Sequence, residues 1–166
     1  MVKHKLNFLP LTEYVNIQRI TMDGTFPYFF RGTVAYDNSH EEKFIMGHRL
    51  YDWNEGGNLT ESKYIEGILQ PLLNVLQPKT LYRAQVNMNC RNDIRQFAHW
   101  HVDQPNMQHS TALYYVNTNN GWTEFENGSK IPCIGNSIGI WSENIRHRGA
   151  YQTDTAVRIC ININYI

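Results

Sequence analysis

The chain has 166 residues, with 15 lysines and arginines against 15 aspartates and glutamates, a formal net charge of +0. That length suits one domain with a single core, and the balanced charge gives no global field for nucleic acid or an acidic membrane surface. Cys90, Cys133 and Cys160 are an odd set without a CxxC pair, which fits reduced thiols rather than a disulfide framework. No run of about 18 apolar residues marks a membrane span, so the expected location is cytoplasmic; a compact phage or bacterial protein, acting in the host cytoplasm in the first case, would suit the length.

The first elements are helical. A short helix is expected over Pro10–Ile20, after lysines at positions 3 and 5, and a loop over Tyr51–Gly57. The strongest periodic segment opens at Thr60 or Ser62 and runs to about Leu76. There Tyr64, Ile65, Ile68, Leu69, Leu72, Leu73 and Leu76 recur at spacings of three and four. Pro71 inside it should kink or divide the helix, because it lacks an N–H and its ring crowds the preceding turn. Residues 1–80 therefore read as helical support with N-terminal strands.

From residue 81 onward the texture changes to strands with Asn/Gly punctuation: Tyr82–Asn89, Ser110–Asn117, Gly121–Glu126, Lys130–Trp141, Ile145–Gln152 and Ala156–Tyr165. The fold class expected is α+β, mainly β, with a sandwich, barrel or jelly roll in one domain over residues 1–166. Alternation divides the last strand cleanly. Val157, Ile159, Ile161, Ile163 and Tyr165 share one face, and Arg158, Cys160, Asn162 and Asn164 the other. The strand before it sorts the same way, with Arg83, Gln85, Asn87 and Asn89 as a polar wall. Two such walls imply a wet cavity, with the aliphatic faces turned to the helices.

The chemistry lies in His101-Val102-Asp103, His147 and Arg158. Residues i and i+2 of an extended segment point the same way, so His101 and Asp103 can converge on one ion. Two imidazoles and one carboxylate on one side of a metal leave the opposite positions open to other ligands. A polar turn at Gln152-Thr153-Asp154-Thr155 reads as the bend of a hairpin that would set His147 across from Arg158, within about 5 Å. A guanidinium there matches a carboxylate bidentately and stays charged. A dicarboxylate co-substrate could then chelate iron at one end and meet Arg158 at the other.

At these residues the sequence resembles the Fe(II)/2-oxoglutarate-dependent dioxygenases, and among them the prolyl-4-hydroxylase-like branch. The resemblance rests on His101-Val102-Asp103-Gln104-Pro105-Asn106, Thr111-Ala112-Leu113-Tyr114-Tyr115-Val116-Asn117, Gly121-Trp122-Thr123-Glu124-Phe125, Trp141-Ser142 and His147 through Arg158, in the family's order over Leu81–Ile166. It implies the double-stranded β-helix form of jelly roll, Fe(II) held by His101, Asp103 and His147, and 2-oxoglutarate clasped by Arg158. It also implies O2 as oxidant, ascorbate as a reductant, and hydroxylation with release of succinate and CO2. Tyr115 matches the second tyrosine of a Tyr-Tyr-Leu-Asn stretch that bonds the far carboxylate, and Leu113 could pack on the methylenes. Two departures stand out. Where those enzymes carry a tyrosine on the strand before the HxD, this chain has Asn89 or its neighbourhood, and the common valine after the second histidine is missing.

Substrate is less defined. The resemblance favours a peptidyl, prolyl-like substrate, with a small molecule as the alternative and nucleic acid disfavoured by charge. Asn87, Arg91, Arg95, Gln104 and Trp141 are rim candidates because they flank the ligands. Two other readings stay open: a cupin-like metalloprotein using the His99/His101 pair, with Asp103 supporting, and a metal-free jelly-roll binding or structural module.

Overall fold

In chain order the elements are β1 (Lys3–Leu6), α1 (Leu11–Thr21), β2 (Phe29–Arg31), β3 (Ile45–Trp53), β4 (Leu59–Glu61), a π-helical turn (Ile65–Leu69) that runs into α2 (Gln70–Leu76), β5 (Leu81–Cys90), β6 (Ser110–Tyr115), β7 (Trp122–Phe125), β8 (Lys130–Pro132), β9 (Ser137–Ser142), β10 (His147–Ala150) and β11 (Val157–Tyr165). This computed structural model describes residues 1–31, 44–53, 59–103, 105, 108–142 and 145–166. Part of the expected Tyr51–Gly57 loop is strand, since Tyr51–Trp53 end β3, and 54–58 lie outside the described residues. Among the described residues no helix is long and apolar enough to cross a membrane.

Two antiparallel sheets result. The large one runs β1-β9-β6-β11-β5-β3-β2, with β4 added against β3, and the small one runs β10-β7-β8. β11 is the axis of the large sheet, pairing with β5 on one side and β6 on the other. Its alternation does what the sequence leads one to expect. Ile159, Ile161 and Ile163 face outward onto Ile17 of α1, Ile68 and Leu69 of the π-helical turn, and Leu72 of α2, all buried in one apolar cluster with Leu50, Val86 and Tyr114. The opposite face of the large sheet looks at the small sheet, where Leu113, Tyr115, Trp141 and Cys160 meet Phe125, Ile131 and Cys133 in a second, smaller cluster. Helices outside, large sheet, then small sheet: this is the double-stranded β-helix jelly roll.

The long amphipathic segment is shorter and more broken than its periodicity suggests. Pro71 stands at the first positions of α2, where the missing N–H is no loss, and the turn before it widens to π geometry. Leu59–Glu61 is strand, so the helical run does not open at Thr60. Gly67 lies where α1 crosses, and a Cβ there would come within 2.7 Å of Ile20 Cδ1. Leu72 is fully buried between helix and sheet. Leu72→Ala is expected to cost about 2–5 kcal/mol of stability, read as a lower urea midpoint at unchanged slope.

Two strand boundaries differ from expectation for visible reasons. The expected Lys130–Trp141 strand divides into β8 and β9 around Asn136, whose φ is 58° and whose amide is committed to Leu9 N and Leu9 O. The Ser110–Asn117 strand ends at Tyr115 because Asn117 continues the ladder with its side chain, accepting from Ile159 N and donating to Val157 O, each at 2.9 Å.

The hairpin expected at Gln152 and Thr153 does not form. β10 pairs with β7 of the small sheet, and β11 with β5 and β6 of the large one. The segment 151–156 therefore crosses between sheets. His147 and Arg158 are not cross-strand neighbours; they line one cavity because the two sheets face each other.

Candidate metal centre

His101 and His147 are joined first through their backbones. Each N–H donates to the other's carbonyl, at 3.1 and 2.9 Å, in an isolated antiparallel bridge. Their rings lie 4.5 Å apart between centroids. Asp103 completes the group, and the ligand atoms of the three residues all lie within 4.8 Å of one another. His101 Nε2 and His147 Nε2 are 3.7 and 3.9 Å from Asp103 Oδ1.

The supporting contacts orient those atoms. His101 Nδ1 is 2.9 Å from the His99 carbonyl and His147 Nδ1 is 3.1 Å from the Ile145 carbonyl. A carbonyl only accepts, so each Nδ1 carries the proton and each Nε2 presents its lone pair to the centre. Asp103 is divided between two tasks. Its Oδ2 accepts from Thr111 Oγ1 at 3.1 Å, Asn162 Nδ2 at 3.0 Å and Asn164 Nδ2 at 3.2 Å. Oδ1 is left facing the imidazoles. Trp141 packs edge-on against the His147 ring, centroids 4.7 Å apart, and on Phe125 behind it.

Charge follows the same plan. Burial alone would raise the Asp103 carboxyl, but His147, His101 and the two asparagine amides outweigh it and hold it at about 2. Burial, with His101 beside it, lowers the pKa of His147 despite the opposing pull of Asp103. Both residues thus stand in the metal-binding protonation state at neutral pH. Because its folded pKa lies below the ~3.9 of an unfolded aspartate, Asp103 contributes stability that is full above about pH 4 and lost as pH falls toward 2. Asp103→Asn is expected to flatten that limb of acid denaturation of the metal-free protein, followed by tryptophan fluorescence.

The centre opens into a cavity of about 920 Å³. Leu113, Thr123, Tyr151, Asn89 and Arg158 line it beside the triad. Arg158 is 4% exposed. Its Nε donates to Cys133 Sγ at 3.0 Å; Nη1 reaches Asn89 Oδ1 at 3.5 Å and Cys160 Sγ at 3.6 Å, and Nη2 reaches Thr123 Oγ1 at 3.4 Å. The partners are two cysteine sulfurs, an amide oxygen and a hydroxyl, three of the four at 3.4 Å or more, and no described carboxylate pairs with it. A buried guanidinium left this way is costly unless an anion completes it. Two further polar groups near it, the Tyr151 hydroxyl and Asn89 Nδ2, are buried with no partner beyond each other. The residues present fit a divalent ion, and the Arg158 end fits a carboxylate.

Tyr115 sits beneath this end, its ring centroid 5.9 Å from the Arg158 guanidinium carbon. Its hydroxyl donates to Thr123 Oγ1 at 2.8 Å, and burial raises its pKa. Asn89 stands opposite Arg158 in the β5–β11 register, and Asn87 lines the cavity further along. Other rim candidates are placed elsewhere. Trp141 is buried behind His147 rather than at the mouth. Arg91 is exposed past the end of β5, its N–H on the Ala156 carbonyl. Arg95 bonds the carbonyls of Asn120 and Tyr151 and covers the Trp122 ring at 4.3 Å. Gln104 lies outside the described residues. His99 supplies a backbone carbonyl to His101 and is not in the convergent group.

Two residues that line the cavity, Tyr151 and Thr123, escape the sequence reading, as does Cys133, which bonds Arg158. Tyr151 had a usable signal: it shares strand parity with His147 and Gly149, and all three line the cavity. Thr123 alternates with Phe125 in the same inward sense, both buried. Cys133, on the segment after β8, offered no pattern at all.

No protein-family model and no curated protein matches the chain in sequence. Solved structures do match in three dimensions. A prolyl hydroxylase in complex with a hypoxia inducible factor oxygen degradation domain peptide fragment, from Trichoplax adhaerens, superimposes with a TM-score of 0.68 at 15% identity, over 99% of this chain and 83% of that one. An oxidoreductase of the 2OG-Fe(II) oxygenase family from Burkholderia pseudomallei gives 0.70 at 11%, over 99% and 84%. The non-heme alpha ketoglutarate dependent carbocyclase SnoK from nogalamycin biosynthesis gives 0.68 at 11%, over 99% and 78%. The chain shares the fold of these oxygenases almost end to end.

Proposed function

We propose that the protein is an Fe(II)- and 2-oxoglutarate-dependent oxygenase that hydroxylates an unactivated C–H bond. The observation that carries this reading is the buried Arg158 guanidinium, unpaired with any described carboxylate, in the same cavity as a His101–Asp103–His147 group with one open side. A metal-free binding module has no need of either, and a cupin-like centre built on His99 leaves Arg158 without a task.

His101 Nε2, His147 Nε2 and Asp103 Oδ1 would hold the ion. When bound together, iron, 2-oxoglutarate and O2 supply a two-electron oxidation of the substrate carbon, with succinate and CO2 as the other products. The chain's own residues do the placing. Arg158 clasps the distal carboxylate of the co-substrate, with Tyr151 O–H and Asn89 Nδ2 as additional donors, Leu113 against its methylenes, and Tyr115 and Thr123 fixing the floor. The carbonyls of His99 and Ile145 hold the imidazole tautomers, and Thr111, Asn162 and Asn164 hold Asp103 to a single metal-facing oxygen. Trp141 and Phe125 keep water from the back of His147. For substrate, the local likeness around His101–Asp103 and Tyr114–Asn117 supports a peptidyl, prolyl-like side chain, with ascorbate as reductant.

The test is anaerobic titration of the apoprotein with Fe(II) and then 2-oxoglutarate, watching the visible metal-to-ligand charge-transfer band. The expected result is a band that saturates at one equivalent of each. Iron-loaded, folded protein without a band would overturn the assignment.

A further inference from the structure

Arg158 occupies one end of the trough formed by β5 and β11; the other end is cationic as well. β5 directs Arg83, Gln85, Asn87 and Asn89 into the cavity, and Arg31 of β2 and Arg49 of β3 join them. Asn89 lies opposite Arg158, and Arg83 lies opposite Asn164, which bonds Asp103. At about 3.3 Å per residue, the six steps between Asn89 and Arg83 separate the two ends by roughly 20 Å. Asp103, bonded to Asn162 and Asn164, sits toward the Arg83 end, and an arginine there is too far away to serve the same carboxylate as Arg158.

The second end is built rather than incidental. Gln85 Oε1 accepts from both Arg49 Nε at 3.1 Å and Arg83 Nη2 at 3.2 Å, drawing two guanidiniums onto one amide oxygen. The Gln85 amide nitrogen donates to Asn87 Oδ1, which fixes its orientation. Gly47 on the neighbouring strand leaves room for this amide, since a Cβ there would lie 2.9 Å from Gln85 Nε2. Asp52 pairs with Arg49. Among the described residues neither Arg31 nor Arg83 pairs with a carboxylate. Arg83 Nε is buried without any hydrogen-bond partner. Arg31 lies close enough to Arg83 for the two like charges to oppose each other.

Like charges held together in a cavity wall are unfavourable until an anion enters between them, and a planar guanidinium pair matches an oxyanion. We infer that the primary substrate carries an oxyanion group, carboxylate or phosphate, which docks on Arg83 and Arg31 while the carbon to be oxidised faces the metal group. This deepens the oxygenase reading and rests on it for the position of the metal. It identifies the substrate by charge where the fold leaves a peptide and a small molecule equally open.

The test uses matched probes, benzoate against benzamide and phenyl phosphate against phenol, titrated calorimetrically at constant ionic strength. The protein is held anaerobically with Fe(II) and saturating 2-oxoglutarate, so that the Arg158 end is filled. The expected result is that at least one anion binds about tenfold or more tightly than its neutral partner, the size expected of a charge-assisted hydrogen bond. Arg83→Gln and Arg31→Gln should each remove that preference, Arg83→Lys should restore part of it, and Arg19→Gln on α1 should leave it intact. The ranking of benzoate and phenyl phosphate then decides which oxyanion is meant. Equal binding of anion and neutral probe, no binding of either anion, or a preference that survives in either Arg83→Gln or Arg31→Gln would overturn the inference. The charge-transfer band separates the two readings. A band without anion preference removes only this inference, and Arg83-dependent anion binding without a band removes only the co-substrate assignment.

Discussion

Asp103→Ala is expected to abolish tight Fe(II) binding and, with it, 2-oxoglutarate-dependent succinate formation. Removing Asp103 deletes the one anionic ligand and also frees Thr111, Asn162 and Asn164, whose three donors now end on its Oδ2. The loss should therefore exceed the roughly 10- to 100-fold that an outer hydrogen-bonding partner contributes to metal affinity, and we expect about 10³-fold or more. Asn162→Ala supplies the internal scale, since it removes one supporting donor and leaves the ligand, and should fall within that 10- to 100-fold range. Anaerobic calorimetry with Fe(II) reads both. An Asp103→Ala protein that bound iron as tightly as wild type would show that the convergent group is not the metal site.

Arg158→Met is expected to separate affinity from stability. Leaving the distal carboxylate of 2-oxoglutarate buried without its cation costs about 3–5 kcal/mol, so the co-substrate concentration giving half the charge-transfer band should rise by roughly 10²- to 10⁴-fold. Iron binding should be retained, because Arg158 touches none of the ligand side chains. The metal-free protein should melt no lower than wild type, and the reason is physical. Its guanidinium is buried among neutral acceptors, and replacing an uncompensated buried charge by an apolar side chain of similar reach removes a desolvation penalty. Stability sacrificed at a binding site is the usual pattern of function against folding. Arg158→Lys should lie between the two in co-substrate demand, since an ammonium keeps the charge and loses the fork. A variant that lost iron and 2-oxoglutarate together would place Arg158 in the scaffold rather than at the co-substrate.

The sequence was most legible where periodicity and burial coincide. The polar and aliphatic faces of β11 and β5 could be read directly, because a strand buried on one side must alternate. The same parity rule placed His101 and Asp103 together. It failed for His147 and Arg158 in an instructive way. A polar tetrapeptide between two strand-like runs is the local signature of a hairpin, yet here it carries the chain from the small sheet to the large one. Local turn chemistry is the same in both cases, and only the pairing partners, β7 for one strand and β5 with β6 for the other, decide between them. Pairing is long-range and leaves no mark in the turn. The helix over residues 60–76 shows the converse, a strong period shortened by one residue, Pro71, whose effect on the helix was readable but whose exact division was not. Cys133 and Thr123 contribute to the Arg158 pocket through tertiary approach alone. The second cationic end could not be assembled from sequence, since Arg31, Arg49 and Arg83 come from three strands distant in the chain.

The proposed metal ligands also straddle the sandwich. His147 belongs to the small sheet and holds His101 to it through reciprocal backbone bonds, whereas Asp103 is tethered by Asn162 and Asn164 to β11 of the large sheet. An ion at this point would be a rivet between two plates that otherwise meet through a small apolar patch and the bonds of Tyr115 and Arg158 to Thr123. Its occupancy then governs how readily the plates breathe apart, and by mass action the folded state gains stability with the logarithm of free metal. Chelation should accordingly quicken amide exchange at the facing edges of β7 and β10 before it affects the helical side, so that metal supply and the lifetime of the folded protein would become one variable.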